Sequence, residues 1–221
     1  MWVLLLIIAF SGLATTAEGG AWAREKGQLF VSLGANIWVH DSDEHGHYHD
    51  PTLYFEYGLT DRITVGADYF ATVFDSVDVG FAFAQIPLGD VTADDKFAVQ
   101  LGYGIRTDYL TEFDPLWRGG LSWGRGLPNG WLAIDASAIY SQTDQVWRKK
   151  VDYTWGHHLT DRWSGMLQIQ TGRSFDDRDF AKLAPAMIFN LNDTIRVSLG
   201  GMQELRDSDA AGIRLSVWQD F

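Results

Sequence analysis

The chain has 221 residues, of which 29 are acidic and 17 basic, giving a formal net charge of −12, and it contains no cysteine. The missing cysteines exclude a disulfide framework, a thiolate nucleophile and a cysteine-based metal site. The acidic balance argues against nucleic-acid binding because carboxylates repel phosphate, and the length accommodates a single domain.

The chain opens with an apolar run. Residues 2–14 are nearly all apolar, and the small residues that follow make Ala17 or Ala23 a suitable last residue of a cleaved leader. The run is shorter than the about 20 residues that a membrane-spanning helix needs. We therefore predict a signal peptide and leader over residues 1–23 and one domain over residues 24–221. The run lacks a preceding Lys or Arg, which leaves a membrane-anchored N-terminus as the alternative.

The rest of the chain alternates apolar and polar residues with a period of two, which indicates β-strands rather than helices. Short turn-forming segments divide the pattern into twelve predicted strands. Their apolar positions fall in residues 29–39, 53–59, 63–73, 79–83, 97–105, 117–123, 132–140, 151–155, 163–169, 183–191, 195–199 and 213–221.

The connections between these strands alternate between two kinds. Five are short and rich in Asp, Asn and Gly, which favour tight turns: residues 59–62, 89–95, 128–130, 159–162 and 191–194. The other six hold 15 of the acidic residues and only 3 basic ones, which accounts for the whole net charge: residues 40–51, 74–78, 107–115, 142–145, 173–179 and 206–210. Strict alternation places these acidic loops at one end of the molecule and both termini at the other.

The apolar face of the predicted strands is nearly free of charge, with Lys149 as its exception. A soluble sandwich would turn its charged face to bulk water, and a lipocalin-type barrel is apolar inside and typically has eight strands. An apolar exterior around a polar interior, with an even strand number and short periplasmic turns, is typical of outer-membrane barrels. The 10 Trp and 8 Tyr residues suit interfacial girdles, with ordinary core packing as the alternative. We predict an all-β, twelve-stranded, up-and-down transmembrane barrel in the outer membrane of a Gram-negative bacterium.

The last ten residues support this class. Ile213, Leu215 and Val217 share one face of the predicted closing strand, and the chain ends on Phe221. This ending resembles the closing strand of bacterial outer-membrane barrels, whose terminal Phe is read by the barrel-assembly machinery. Gln219 departs from that pattern, which has an aromatic or aliphatic residue there. The resemblance implies that Phe221 is an assembly signal.

One hairpin carries a family resemblance. Residues 54–66 read Tyr-Phe-Glu-Tyr-Gly-Leu-Thr-Asp-Arg-Ile-Thr-Val-Gly, which resembles a recurrent hairpin of outer-membrane channel proteins often associated with phenol-degradation pathways. The resemblance implies a small barrel that passes hydrophobic or aromatic compounds. It covers this hairpin and the general layout, and it carries no binding residue over to this chain.

The first acidic loop is the candidate metal site. It contains four of the six histidines together with carboxylates, a donor set that suits Zn²⁺, Cu²⁺ or Ni²⁺. The alternative is a solvated loop whose divalent ions bridge neighbouring lipopolysaccharide. No other cofactor is predicted. The candidate ligands are His40, Asp43, His45, His47, His49 and Asp50.

Charged residues on the polar face of the strands are predicted to line the pore. Rings of charge at a constriction select ions, whereas a salt-bridged interior would simply neutralise a narrow barrel. Twelve strands give a lumen between those of filled eight-stranded barrels and open porins. The predicted lining residues are Glu56, Asp68, Arg106, Arg118, Asp135, Asp152, Lys182, Arg196 and Arg214.

A lipid-modifying enzyme would need a serine, a histidine base and an orienting group. His157 and His158 fall at a predicted periplasmic turn, and spacing places no Ser–His pair at the outer membrane edge, although His40 with a loop serine stays open. Mostly short outer loops argue against a large adhesive surface. We therefore predict a non-enzymatic channel for passive passage of a small solute, in which acidic loops enrich cations. Surface metal capture or lipid modification is the alternative, and the expected partners are outer-membrane lipid, lipopolysaccharide and the assembly machinery.

Overall fold

The structure, a computed structural model, describes residues 20–39, 47–72, 76–108, 113–175, 177–206 and 210–221. It is a closed barrel of twelve antiparallel strands, which confirms the predicted fold class. The strands are β1 (Leu29–Val39), β2 (His47–Thr60), β3 (Ile63–Thr72), β4 (Val77–Leu88), β5 (Asp95–Thr107), β6 (Asp114–Leu127), β7 (Gly130–Ser141), β8 (Trp147–His158), β9 (Trp163–Arg173), β10 (Asp179–Asn190), β11 (Ile195–Glu204) and β12 (Ala211–Asp220).

Each strand pairs with its neighbours in sequence, and β1 closes the ring against β12. The closing register runs from Phe30 opposite Asp220 to Val39 opposite Ala211. The Phe221 amide extends this ladder by donating to the Leu29 carbonyl at 2.8 Å. Closure pairs the edges that an open sheet would leave exposed. The role of Phe221 as an assembly signal stays a prediction.

The short turns and the acidic loops lie at opposite ends of the barrel, here named the turn end and the loop end. Side chains cap the tight turns as their composition predicts. The Asn192 carboxamide oxygen accepts from the Thr194 and Ile195 amides at 2.9 and 2.7 Å. The Asp90 carboxylate accepts from the Thr92 amide and hydroxyl at 2.8 and 2.7 Å, and these hydrogen bonds lower the pKa of Asp90. The residues that precede β1 and the residue that follows β12 both contact the barrel at the turn end.

The outer face of the barrel is apolar. Leu33, Leu101 and Leu121 are 57%, 62% and 60% exposed there, as expected for side chains that face hydrocarbon rather than water. The described residues include no helix long and apolar enough to cross a membrane. Aromatic rings pack in pairs between strands of this outer face: Tyr103 with Trp117 at 4.9 Å, Tyr140 with Trp147 at 5.0 Å and Trp163 with Phe189 at 4.6 Å between ring centroids.

Strand β4 departs from the sequence analysis, which grouped its larger apolar residues with the outward apolar positions. Val79, Phe81 and Phe83 are instead 0%, 3% and 5% exposed and point into the barrel. The register explains this, because Phe81 lies directly opposite the inward Asp68 on β3 and cross-strand partners share a face. The other face of β4 is also apolar, so its alternation is ambiguous. Val79 and Phe81 pack with Leu116 in an apolar cluster inside the barrel.

Candidate functional site

The barrel interior is the candidate functional site. All nine residues predicted to line it lie on inward positions, as cross-strand pairs such as Lys182 opposite Glu204 and Arg214 opposite Asn36 illustrate. Glu56, for example, is 2% exposed. Their part in selectivity stays a prediction. The structure places further charged residues inside the barrel that the sequence analysis did not include in the pore lining. They are Arg24, Asp114, Asp144, Arg148 and Asp220.

At the loop end, arginines and loop carboxylates form what we call the outer ion cluster. Arg106 lies 3.3 Å from Asp114 and 3.1 Å from Asp144, and Arg148 lies 3.3 Å from Asp144 and 3.4 Å from Asp177. Both guanidinium groups also lie over the Phe175 ring, at 5.2 and 5.3 Å from its centroid. Three carboxylates that the sequence analysis assigned to a negative vestibule are therefore paired with lumen cations. The mouth is less negative than a charge count indicates.

The middle of the lumen contains a forked ion pair. Arg118 donates to both carboxylate oxygens of Asp68, at 3.0 and 2.5 Å. Its guanidinium also lies 4.2 Å from the ring centroid of Phe81 and 5.5 Å from that of Phe83. A planar guanidinium suits this site because it can bind a carboxylate bidentately and stack on aromatic faces. The inward rings of β4 thus position a charged group of the lumen.

On the opposite wall, cations are held more loosely. Lys182 lies 3.6 Å from Glu204 and 4.8 Å from the ring centroid of Trp38. Arg214 donates to the Asn36 carboxamide oxygen at 2.9 Å. This wall therefore combines positive charge with aromatic and amide surface.

Residues 20–28, here named the inner segment, cross the turn end of the lumen before β1 begins. The Arg24 guanidinium donates to Glu56 at 2.7 Å, and the Arg24 amide donates to the Thr64 hydroxyl at 3.0 Å. A side chain at Gly124, on the inner face of β6, would collide with the Trp22 ring. Ala21 is only 2% exposed. The inner segment therefore reaches from β2 and β3 across to the far wall.

This packing bears on the predicted leader. Residues 20–23 belong to the segment that we excluded from the barrel domain, yet they lie inside the lumen. Gly20 is close enough to β6 and β7 that a Cβ atom there would lie 3.0 Å from the Ser122 hydroxyl and 3.1 Å from an Asp135 oxygen. Of the two suggested processing points, cleavage after Ala17 retains these contacts and cleavage after Ala23 removes them. The domain boundary itself stays a prediction.

Between the inner segment and the outer ion cluster lies a cavity of about 330 Å³. Most of the residues that line it are polar or charged, and they come from opposite sides of the barrel. Tyr54 and Arg118 line it on one side, and Asp135, Lys150 and Asp152 line it on the other. A water-accessible, charged cavity of this kind is able to hold a small polar solute.

The predicted metal ligands are only partly within the described residues. Asp50 lies on the inner face and accepts from the Trp38 indole at 2.8 Å, whereas the neighbouring His49 is exposed. Adjacent strand residues point to opposite faces. No group of three His, Cys, Asp or Glu residues that could hold a metal forms among the described residues. Three of the predicted ligands, His40, Asp43 and His45, lie outside the described residues, and a fourth, His47, is described by its backbone only. The metal site therefore stays a prediction.

The structure also forms a serine–histidine pair that spacing did not predict. His158 Nδ1 lies 3.0 Å from the Ser164 hydroxyl, inside the barrel at the turn end. The Trp131 indole lies 5.4 Å from the imidazole centroid. Among the described residues no carboxylate binds the other ring nitrogen, so the pair lacks the orienting group that a catalytic triad uses.

Comparison with known proteins relates this chain by fold. No protein-family model matches it, and no curated protein matches it. The KdgM porin is similar over 86% of this chain and 99% of its own, with a TM-score of 0.62 and 7% identity. The NanC porin is similar over 85% and 98%, with a TM-score of 0.62 and 8% identity. A mutant of TodX, described as a monoaromatic hydrocarbon channel, is similar over 90% and 91%, with a TM-score of 0.52 and 11% identity. At these identities the similarity concerns the fold, and this chain has the fold of outer-membrane β-barrel channels.

Proposed function

We propose that this protein is an outer-membrane channel for passive passage of a small polar solute in a Gram-negative bacterium. The observation that carries the proposal is a closed barrel that is apolar outside and charged inside, with a cavity of about 330 Å³ in its lumen. Backbone polar groups that face lipid must be satisfied internally, which closure achieves.

The similar structures support a channel without naming its solute. Two are porins, and the third is a hydrocarbon channel. The hairpin resemblance favours aromatic solutes, and the rings of Phe30 and Tyr54 line the cavity beside its charged groups. We therefore keep an aromatic compound with a polar group as the second candidate. The charged lining of the cavity favours a polar solute over a plain hydrocarbon.

The path in this proposal narrows at both ends. The outer ion cluster narrows it at the loop end, and the inner segment crosses it at the turn end. The net negative charge of the six acidic loops attracts cations to the mouth. Contacts with lipopolysaccharide, and recognition of the closing strand by the assembly machinery, belong to the same proposal.

Single-channel recording in a planar bilayer under a salt gradient tests the proposal. Folding is verified first by heat-dependent electrophoretic mobility. We expect discrete conductance steps, because water and ions occupy the charged lumen, and a reversal potential that indicates preference for cations. The absence of conductance from a verified folded barrel, both with the inner segment present and with it deleted, would overturn the proposal of a channel.

A further inference from the structure

We propose that the lumen cavity is a binding site for a small organic cation whose ammonium group lies between Asp135 and Asp152. The inference rests on the proposed function in that it names the solute class of the same lumen. Three observations support it: the strand register, the pairing of the charged residues around the cavity, and a carboxylate oxygen that has no hydrogen-bond donor.

The register brings two carboxylates together. Asp135 on β7 and Asp152 on β8 are direct cross-strand partners on the inner face, and both line the cavity. Side chains in such positions have Cβ atoms about 4.5–5.5 Å apart, and like charges directly opposite each other are destabilising. This position therefore requires compensation by a cation.

The cations near the cavity are already engaged. Arg24 pairs with Glu56, Arg118 pairs with Asp68, and Lys150 pairs with Asp152, at 2.7, 2.5 and 2.6 Å. The three pairs are neutral overall.

Asp135 has no ion-pair partner of its own, because the lysine that acts on it, Lys150, is paired with Asp152. Its hydrogen bonds come from the Ser122 hydroxyl and the Gly20 amide, which are uncharged. Within the part of the chain that the structure describes, no Lys, Arg or His lies at ion-pair distance from Asp135. In addition, one carboxylate oxygen of Asp152, Oδ1, is buried without a hydrogen-bond partner. The two carboxylates therefore share Lys150, with Arg214 acting on Asp152 beyond ion-pair distance, and they retain hydrogen-bond acceptor capacity.

The missing partner is a donor, and its chemistry can be specified. An ammonium group carries three donors and no acceptor, so it can bind Asp135, the free oxygen of Asp152 and a third polar group. Gln100 and Ser137 line the same cavity and offer such oxygens. Among the described residues no third acidic or histidine ligand joins the two carboxylates. An organic ammonium therefore fits better than a divalent metal.

Calorimetric titration of the refolded full chain in detergent with n-butylammonium chloride tests the site. Sodium butyrate and n-butanol are the probes of similar size with negative and no charge. We expect saturable binding of n-butylammonium at one site and at least about tenfold weaker binding of the other two, because butyrate carries the same sign of charge as the site and n-butanol has a single, uncharged donor. Equal affinity for butyrate would overturn the proposal.

Two kinds of variant locate the site. D135N keeps the side-chain shape and removes the charge, so we expect about a tenfold or greater loss of n-butylammonium affinity. D193N removes the same charge from an exposed turn outside the lumen and is expected to bind as the unaltered protein does. Unchanged affinity in D135N would overturn the assignment.

A third variant keeps the proposal testable should D135N fail to fold. Q100K leaves both carboxylates in place and adds an internal ammonium to the cavity wall. We expect this ammonium to compete with the ligand and weaken binding about tenfold. Unweakened binding in folded Q100K would also overturn the proposal.

Binding is measured without conduction, so the two proposals fail separately. A silent barrel that binds n-butylammonium selectively overturns the channel and supports the site. A conducting barrel that does not distinguish n-butylammonium from butyrate overturns the site and supports the channel.

Discussion

At the residue scale, the interior of this barrel is organised by ion pairs that rest on aromatic rings. Arg118 is representative, since its two terminal nitrogens, Nη1 and Nη2, donate to Asp68 and its guanidinium lies against the Phe81 ring. Its side chain is 13% exposed and that of Asp68 is 17% exposed. A charge that is largely removed from water depends on its partner much more than an exposed charge does.

This dependence predicts the effect of D68N. The substitution leaves the Arg118 guanidinium without its counter-charge, so we expect the free energy of unfolding to fall by about 1–3 kcal/mol, a range that allows for water in the lumen. Urea titration of the folded barrel in lipid vesicles measures it. D95N is the matched control, because its pair with Arg125 is exposed at 36% and 47% and should contribute less than about 1 kcal/mol. Equal losses in both variants would contradict this account.

At the element scale, the inner segment has the largest effect on the shape of the lumen, because it crosses the turn end. It is anchored through Arg24, whose guanidinium lies 2.7 Å from Glu56 and 3.6 Å from Asp220. The Gly27 amide donates to the Gly58 carbonyl at 2.8 Å, where a side chain at Gly58 would collide with the carbonyl of Glu25. The segment is therefore seated by contacts with β2 and β12 and narrows the turn end.

We expect R24A to loosen this anchor. The variant loses two ion pairs to the barrel wall, which weakens the binding of the inner segment by about 1–3 kcal/mol. The inner segment should therefore leave the lumen more often. We expect the mean single-channel conductance to rise by about half or more. K26A is the control, because Lys26 is exposed and its backbone amide, which the substitution keeps, donates to the Asp61 carboxylate. Intact mass of the purified protein, expected to correspond to cleavage after Ala17, verifies that the segment is present. Identical conductance in both variants would exclude a narrowing role.

At the scale of the whole molecule, the net negative charge is concentrated at the loop end of the barrel. The six acidic loops account for the net charge of −12, yet the outer ion cluster neutralises part of it through Arg106 and Arg148. Arg148 is 5% exposed and contacts both Asp144 and Asp177. Cation preference at the mouth therefore depends on the balance between these pairs and the net negative charge of the loops.

This balance predicts the result of R148Q. Loss of the Arg148 charge makes the loop end more negative, although Asp144 keeps Arg106 and Asp177 keeps Arg173 as partners. The reversal potential in a salt gradient should therefore shift toward cations, and this shift should shrink as ionic strength rises and the Debye length falls to about 3 Å at 1 M. R162Q removes the same charge from an exposed turn at the opposite end and is expected to shift the potential less. A larger shift in R162Q would show that the outer ion cluster does not control selectivity.

Much of the architecture follows from the sequence alone. Alternation with a period of two, turn residues at regular spacing and an even strand number predict the barrel, its ends and its inward faces. These features are local, since each depends only on neighbouring residues. The prediction is wrong at β4, where both faces are apolar and only pairing with β3 decides which one turns inward.

Only the tertiary structure decided which charges meet inside the lumen and that residues 20–28 enter it. Closure of β1 on β12 and the register of β7 on β8 set which charges meet, and they bring Asp135 opposite Asp152. Arg24 reaches Glu56 across 32 residues of sequence. Strand periodicity assigns a side chain to a face, but its height in the barrel and its partner depend on cross-strand register. That register comes from the whole ring closing at once, so no local pattern contains it.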